Sequence, residues 1–213
     1  EDPGLESVSE IVALVIDGAE AGRVVAGTQA VAVVNETSFY GESGGQIGDS
    51  GTLSWEGGHA IVLHTGKNEG IHTLEVEVIE GALTVGQRVE QRVDGQRRRT
   101  TGAHHSATHL LHSALQAILG DHCKQAGSAV HPDRLRFDFT HFSAVTPDEI
   151  RQIEAYVNTW ICANPLVETV VMGLDEAKAA GATAMFGEKY AEQVRTVRIG
   201  PESFELCGGT HVN

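Results

Sequence analysis

The sequence is short of cysteines, of cations and of long apolar runs, and each shortage excludes something. Three cysteines, Cys123, Cys162 and Cys207, are too few and too odd a number for a disulfide framework. They fit a reducing compartment, so a cytoplasmic location is expected. No apolar run approaches the roughly 20 residues that a membrane helix needs. No signal-peptide pattern opens the chain. Lys and Arg number 15 against 29 Asp and Glu, for a net charge of −14. That balance argues against binding nucleic acid by bulk electrostatics.

The shortage of cations is uneven. Residues 1–95 hold 4 Lys/Arg against 16 Asp/Glu, whereas residues 96–213 hold 11 against 13. An anionic polymer would therefore meet the second part. The run Arg97-Arg98-Arg99 is the obvious contact, and it reads equally as a solvated linker. With 41% apolar residues in 213, the chain can bury a real core as one large domain or two small ones. It begins at Glu1 and its last motif ends near Asn213, so it is expected to be a piece of a longer protein.

Short strand patterns fill the first part. Ile11–Ile16 closes on Asp17-Gly18, and Gln29–Val34, Thr52–Trp55, Ala60–His64, His72–Val78 and Arg88–Val93 follow, separated by glycine-bearing turns. In His72–Val78, Leu74, Val76 and Val78 alternate with acids. Six strands at this spacing predict a small antiparallel barrel over residues 1–95. The stretch from Thr37 to Gly51 is too glycine-rich for a regular element. It lacks the Gly-Lys-Ser/Thr ending of a phosphate loop. It reads either as a flexible connection or as backbone kept bare for a close approach. His59, His64 and His72 show no ligand spacing and are read as surface or pairing residues.

The composition shifts near Asp94-Gly95-Gln96. Residues 96–213 predict an α+β core, with helices packed on an antiparallel sheet. A helix is predicted from about Gly102 to Leu119, with Gly120 as its cap. A hairpin then spans Lys124–Val130 and Arg134–Thr140. Thr146-Pro147-Asp148-Glu149 is a capping box that opens a second helix. Ile150, Ile153, Val157, Trp160 and Ile161 form its core side, and Cys162 is expected in the core as well. Cys123 is assigned neither to core nor to loop. Strands Val167–Met172, Val194–Ile199 and Phe204–Cys207 and a short helix Asp175–Ala180 complete the pattern.

The first helix carries the chemistry. At about 100° per residue, His105, His109 and His112 share one narrow arc, opposite Leu111, Leu115 and Ile118. His105 and His109, four apart, have the spacing that lets two imidazoles reach one metal ion. Alone, such a pair also reads as a solvated polar face. The far end of the chain changes that. Cys207-Gly208-Gly209-Thr210-His211 supplies a sulfur and a nitrogen, again four apart, on a glycine loop. Together the four make a His3Cys set suited to tetrahedral zinc.

Several stretches carry a resemblance to a known family. They are His105-Ser106-Ala107-Thr108-His109-Leu110-Leu111-His112, Lys124-Gln125-Ala126-Gly127-Ser128, Leu135-Arg136-Phe137-Asp138-Phe139, Phe186-Gly187-Glu188-Lys189-Tyr190 and Cys207-Gly208-Gly209-Thr210-His211. With the glycine stretch from Phe39 to Gly51, they resemble the editing domain of alanyl-tRNA synthetase, in the family's order and over nearly the whole chain. His104 departs from the family, which often has another polar residue there. The resemblance implies a small barrel followed by the α+β core shared with the threonyl enzyme's editing domain. It implies zinc on His105, His109, Cys207 and His211, and an editing-pocket glutamine at Gln125. Substrate would be bound by Gly44, Gly45, Gln46, Gln125, Ser128 and Arg136, with Gln125, Thr210 and Cys207 as catalytic candidates. The partner implied is tRNA(Ala) mischarged with serine or glycine, alongside the aminoacylation and C-terminal domains of a parent synthetase.

The implied reaction is hydrolysis of the wrong aminoacyl ester. A synthetic pocket discriminates by one methylene to only about 1–3 kcal/mol, so a second, hydrolytic site has to correct errors. Zinc would activate water, polarise the carbonyl or anchor the amino group, and the sequence leaves these open. Direct water activation would need a labile ligand, and Cys207 is the candidate. Ser106 stands where a metalloprotease of the His-Glu-x-x-His type has its glutamate, which argues against that class. His112 is expected to support the site rather than to bind metal. A free-standing deacylase, a tRNA-binding module with a structural zinc and an unrelated zinc hydrolase are the competing readings.

Overall fold

The computed structural model describes residues 4–184 and 190–212. Residues 186–189, part of one stretch that carries the resemblance, lie outside them. The fold is mixed, with a closed antiparallel barrel and a few helices, consistent with α+β. The chain divides into two compact units, residues 1–43 with 47–98, and residues 44–46 with 99–213.

The first unit is built from β1 (Glu6–Ile16), β2 (Ala19–Glu20), β3 (Arg23–Val25), β4 (Gln29–Val34), β5 (Gly51–Trp55), β6 (Gly58–Asn68), β7 (Ile71–Glu80), β8 (Ala82–Thr84) and β9 (Arg88–Val93). Six strands pair in the ring β1-β4-β7-β6-β5-β9, and β9 returns to β1. β1 closes the ring by serving two neighbours. Glu6–Glu10 pairs with β9, and Ile11–Val15 pairs with β4 past an irregularity between Ile11 and Ala13. A bulge of this kind bends one strand so that its two halves join different partners. Strict alternation fills the interior: Leu74, Val76 and Val78 point in from β7, and Val89 and Val93 from β9. Ala32 and Ala60 share this core with Leu14, Leu53 and Val62. The pair β3–β8 and the two-residue β2 were not legible as strands; they are too short to show a period.

Three expectations need correction. Arg97-Arg98-Arg99 is not a linker, because the helix α1 (Gly95–Leu119) begins seven residues earlier than its apolar pattern does. The Asp94 carboxylate caps it, accepting from the amides of Gln96 and Arg97 at 3.0 Å each. Arg98 is buried, so it is withdrawn from any polymer contact. Its guanidinium grips the equally buried Asp49 through Nε at 3.1 and 2.9 Å and through a terminal nitrogen, which also donates to the Ser38 carbonyl at 2.7 Å. Cys162 is exposed rather than core. On α2 (Pro147–Ala163) it points away from Ile153, the helix's buried residue, and Ile150 and Ile161 at the two ends are also exposed.

The second unit adds β10 (Gln125–Val130), β11 (Leu135–Phe139), α2, β12 (Val167–Gly173), α3 (Leu174–Ala179), β13 (Gln193–Ile199) and β14 (Ser203–Leu206). β10 and β11 form the expected hairpin, and β12-β13-β14 a three-stranded antiparallel sheet. Helix α1 is apolar on two sides. Ala114, Leu115, Leu111 and Ile118 pack with Cys123, Ile153, Phe137 and Phe139. Leu110 packs with Val167, Val197 and Ile199 of the sheet and with Trp160 of α2. The Thr146 capping box of α2 is complete, with Thr146 Oγ1 accepting from the Glu149 amide and the Glu149 carboxylate accepting from the Thr146 amide.

Candidate metal centre

The imidazole face of α1 is buried, which removes the solvated reading: His105, His109 and His112 are all buried. β14 runs against this face and delivers Glu205, then Cys207. The donor atoms of His105, His109, Cys207 and His211 all lie within 4.8 Å of one another. Cys207 Sγ is 3.4 Å from His105 Nε2 and 3.3 Å from His211 Nε2. A tetrahedral zinc with one sulfur ligand sets such N···S separations at about 3.6 Å.

Each imidazole is oriented by a partner on its other nitrogen. His105 Nδ1 is 2.7 Å from Gln46 Oε1, and His211 Nδ1 is 3.2 Å from Ser106 Oγ. His109 Nδ1 is 2.8 Å from one oxygen of Glu205, whose other oxygen is 3.0 Å from His112 Nδ1. That leaves His109 Nε2 buried with no hydrogen-bond partner among the described residues. His112 Nε2 is orphaned likewise, but only His109 Nε2 stands beside a sulfur and two more imidazole nitrogens, where a metal could be held.

The electrostatics favour a cation. Burial alone would raise the Cys207 thiol, but the His105, His109 and His211 imidazoles clustered around it pull it well below its ordinary value. Burial would also raise Glu205, and the His109 and His112 rings outweigh it and hold the carboxyl at about 2. Burial would lower His109; Glu205 and Cys207 lift it instead, to about 10. Burial lowers His211 to about 4. A sulfur and a carboxylate, both shifted toward their charged forms by the imidazoles around them, thus share a buried site.

The loop residues of the first part that were expected at the site fall in the second unit. Gln46 is fully buried, behind His105, and its amide also bonds Thr210: Oε1 accepts from the Thr210 amide and Nε2 donates to Thr210 Oγ1, both at 2.9 Å. The Gly45 carbonyl accepts from the Val130 amide at 2.8 Å. A Cβ at Gly45 would stand 2.6 Å from the Ser128 carbonyl oxygen and Oγ, so here the bare backbone serves a close approach. Gly44 has no such neighbour. Gly209 is needed for space rather than for a turn, because a Cβ there would meet the His105 ring at 2.1 Å. Ser128 Oγ accepts from Gln125 Nε2 at 3.1 Å. Arg136 is exposed on β11 and paired with Asp138.

Two residues were missed by the sequence reading. Glu205 had a signal, since strand alternation puts it on the same side as Cys207. Arg195 had none: it donates to the carbonyls of Cys207 and Gly209 at 2.8 Å each and so fixes the ligand loop from β13.

Comparison with known proteins adds a relationship along the whole length. The chain is 51% identical over 215 residues to a protein named Alanine--tRNA ligase from Myxococcus xanthus, covering 100% of this chain and 24% of that protein. It is 50% identical to the Alanine--tRNA ligase of Thermus thermophilus, covering 98% of this chain and 24% of the relative, and 49% identical to that of Ruegeria sp., covering 95% and 24%. Its relatives are alanine--tRNA ligases. The chain spans about a quarter of their length. A family model described as tRNA synthetases class II (A) matches residues 3–97, which comprise the barrel strands and the start of α1 but none of the four donors. No helix among the described residues is long and apolar enough to cross a membrane.

Proposed function

We propose that this chain is the editing part of an alanine--tRNA ligase, and that it hydrolyses the ester of tRNA(Ala) mischarged with serine or glycine. The observation that carries the reading is the convergence of His105, His109, Cys207 and His211 in a chain about half identical to such ligases. Its partners are then tRNA(Ala) and the aminoacylation and C-terminal domains of the parent enzyme, in the cytoplasm.

The proposed cofactor is zinc, held by those four residues, which fit it in donor type, spacing and charge. Bound there, zinc supplies a fixed positive charge that can polarise an ester carbonyl or anchor an amino group. Cys207 is the ligand proposed as labile. Gln125 offers an amide for orienting substrate or water from β10, beside Ser128. Thr210, with its hydroxyl and amide bonded to Gln46, presents a rigid neighbour to the ligands. Gly44, Gly45 and Arg136 are proposed to contact the acylated end of the tRNA. Polar groups that bond a serine hydroxyl would be left unpaired by alanine, which is how such a pocket rejects the correct product.

A second reading is favoured by one observation: four protein donors make a closed set, as structural zinc sites do. In that reading the chain binds tRNA without hydrolysing it. The test is release of serine from Ser-tRNA(Ala) beside Ala-tRNA(Ala), with metal content measured on the same sample. Selective release with about one zinc in the His105 set, and loss of that one zinc together with release in His109→Ala, is the expected result. Zinc and tRNA bound without turnover would favour the structural reading.

A further inference from the structure

A second cluster of soft and borderline donors lies outside this site. His122 Nε2 is 2.8 Å from His141 Nδ1, and Cys123 Sγ is 3.8 Å from the first and 3.9 Å from the second. His122 and Cys123 precede β10, and His141 follows β11, so the cluster closes the open end of the hairpin. The backbone fixes that end. Thr140 Oγ1 donates to the His122 carbonyl at 2.8 Å and accepts from the Lys124 amide at 3.1 Å, and the Thr140 amide donates to the Lys124 carbonyl at 3.0 Å. Gln116 of α1 donates to the Cys123 carbonyl.

Room for the first imidazole is made by a glycine. Gly120, with φ at +114°, ends α1, and a Cβ there would lie 3.0 Å from His122 Nδ1. The exposed Phe142 stacks on the same ring with centroids 4.3 Å apart and holds its plane. The sulfur is buried, whereas both imidazoles are half-buried.

We propose that His122, Cys123 and His141 form a second, three-ligand site for a borderline divalent cation of the zinc class, with its fourth position open to solvent. The donor types suit that ion and argue against the hard calcium and magnesium class, since there is no carboxylate in the set. Tetrahedral coordination sets N···N at about 3.3 Å and N···S at about 3.6 Å, so the three observed separations need adjust by only about half an ångström. The two imidazole nitrogens already face one another beside the sulfur, and the ion would sit among the three donors with release of the thiol proton to solvent. Gln125 follows Cys123 by two positions and pairs with Phe139 across the hairpin. Filling the site therefore pins the strand end that carries Gln125, so occupancy would bear on how that amide is presented.

The test is metal stoichiometry of the untagged 213-residue chain, stripped by chelator and titrated with Zn2+, with Co2+ as the spectroscopic probe. Two equivalents are expected, with thiolate-to-cobalt charge transfer from both. His141→Gln and His122→Gln, at half-buried positions, should each bind one. His109→Ala should also keep one, lost again when combined with His141→Gln. Wild type saturating at one equivalent that His141→Gln retains would overturn the second site and leave the His105 set standing. Two equivalents in both His141→Gln and His122→Gln would overturn it as well. One equivalent retained by His109→Ala and lost in His141→Gln would uphold it while removing the His105 set.

Discussion

Gln46 Oε1 lies 2.7 Å from His105 Nδ1, across 59 positions of sequence, and this contact fixes which ring nitrogen turns toward Cys207. Gln46→Ala removes the acceptor and the bonds to Thr210 together. A partner of this kind typically contributes 10–100-fold to metal affinity, so a loss of roughly that size is expected. Competition with a chromophoric chelator measures it. Unchanged affinity would mean that the His105 tautomer is set by something else.

Glu205 orients two imidazoles with one carboxylate. Glu205→Ala leaves His109 and His112 without acceptors in a buried place, at about 1–3 kcal/mol for each group left unsatisfied. Both metal affinity and melting temperature should fall, the second even in metal-free protein. Glu205→Gln keeps an acceptor for one ring only, so it should lie between wild type and alanine in both readouts. A metal-free alanine variant as stable as wild type would contradict this account.

The Arg98–Asp49 pair is buried on both sides, so breaking it by one substitution strands a charge. Asp49→Ala or Arg98→Ala should cost about 3–5 kcal/mol, whereas an apolar replacement of both, such as Asp49→Leu with Arg98→Met, should recover much of it. Urea unfolding of the three variants tests the coupling. Additive losses in the double variant would show that the two side chains act separately.

Tyr156 donates its hydroxyl to the Glu202 carboxylate. Burial first, and then that carboxylate, push the phenol up to about 12. The proton is held more tightly in the folded chain than in the unfolded one. The stability it contributes is therefore complete below pH 10 and lost as pH rises through about 12. Of the three tyrosines, one should ionise late in an absorbance titration of the folded protein. Tyr156→Phe should remove that late step and leave the others; a late step that persists would assign it to Tyr40 or Tyr190.

Much of this fold was legible because its strands alternate cleanly. Gln29–Val34 and Arg88–Val93 were bounded as the structure has them, since each points every second side chain into the barrel. The first turns of α1 were not, because three arginines read as solvated and the aspartate that buries one of them is 49 positions away. The four converging donors were readable as two local spacings. What supports them was not: Gln46 was expected at the site from the family resemblance but as a substrate contact rather than the partner of His105, and Ser106 and Arg195 reach their partners only through the fold. Cys162 was misplaced because an apolar neighbourhood in sequence does not say which side of a helix faces in.

Strand β1 closes the ring by pairing Glu6–Glu10 with Arg88–Arg92, the start of the barrel with its end. Contacts so far apart raise contact order, and loop-closure entropy must be met before they form. During synthesis the first strand can zip onto β4 early, but its leading half stays an open edge until β9 has left the ribosome. In that interval the nascent chain presents an unpaired template that a second copy could join. The acidic character of these residues, with Glu6 and Glu10 on the leading half, makes two such edges repel while they wait.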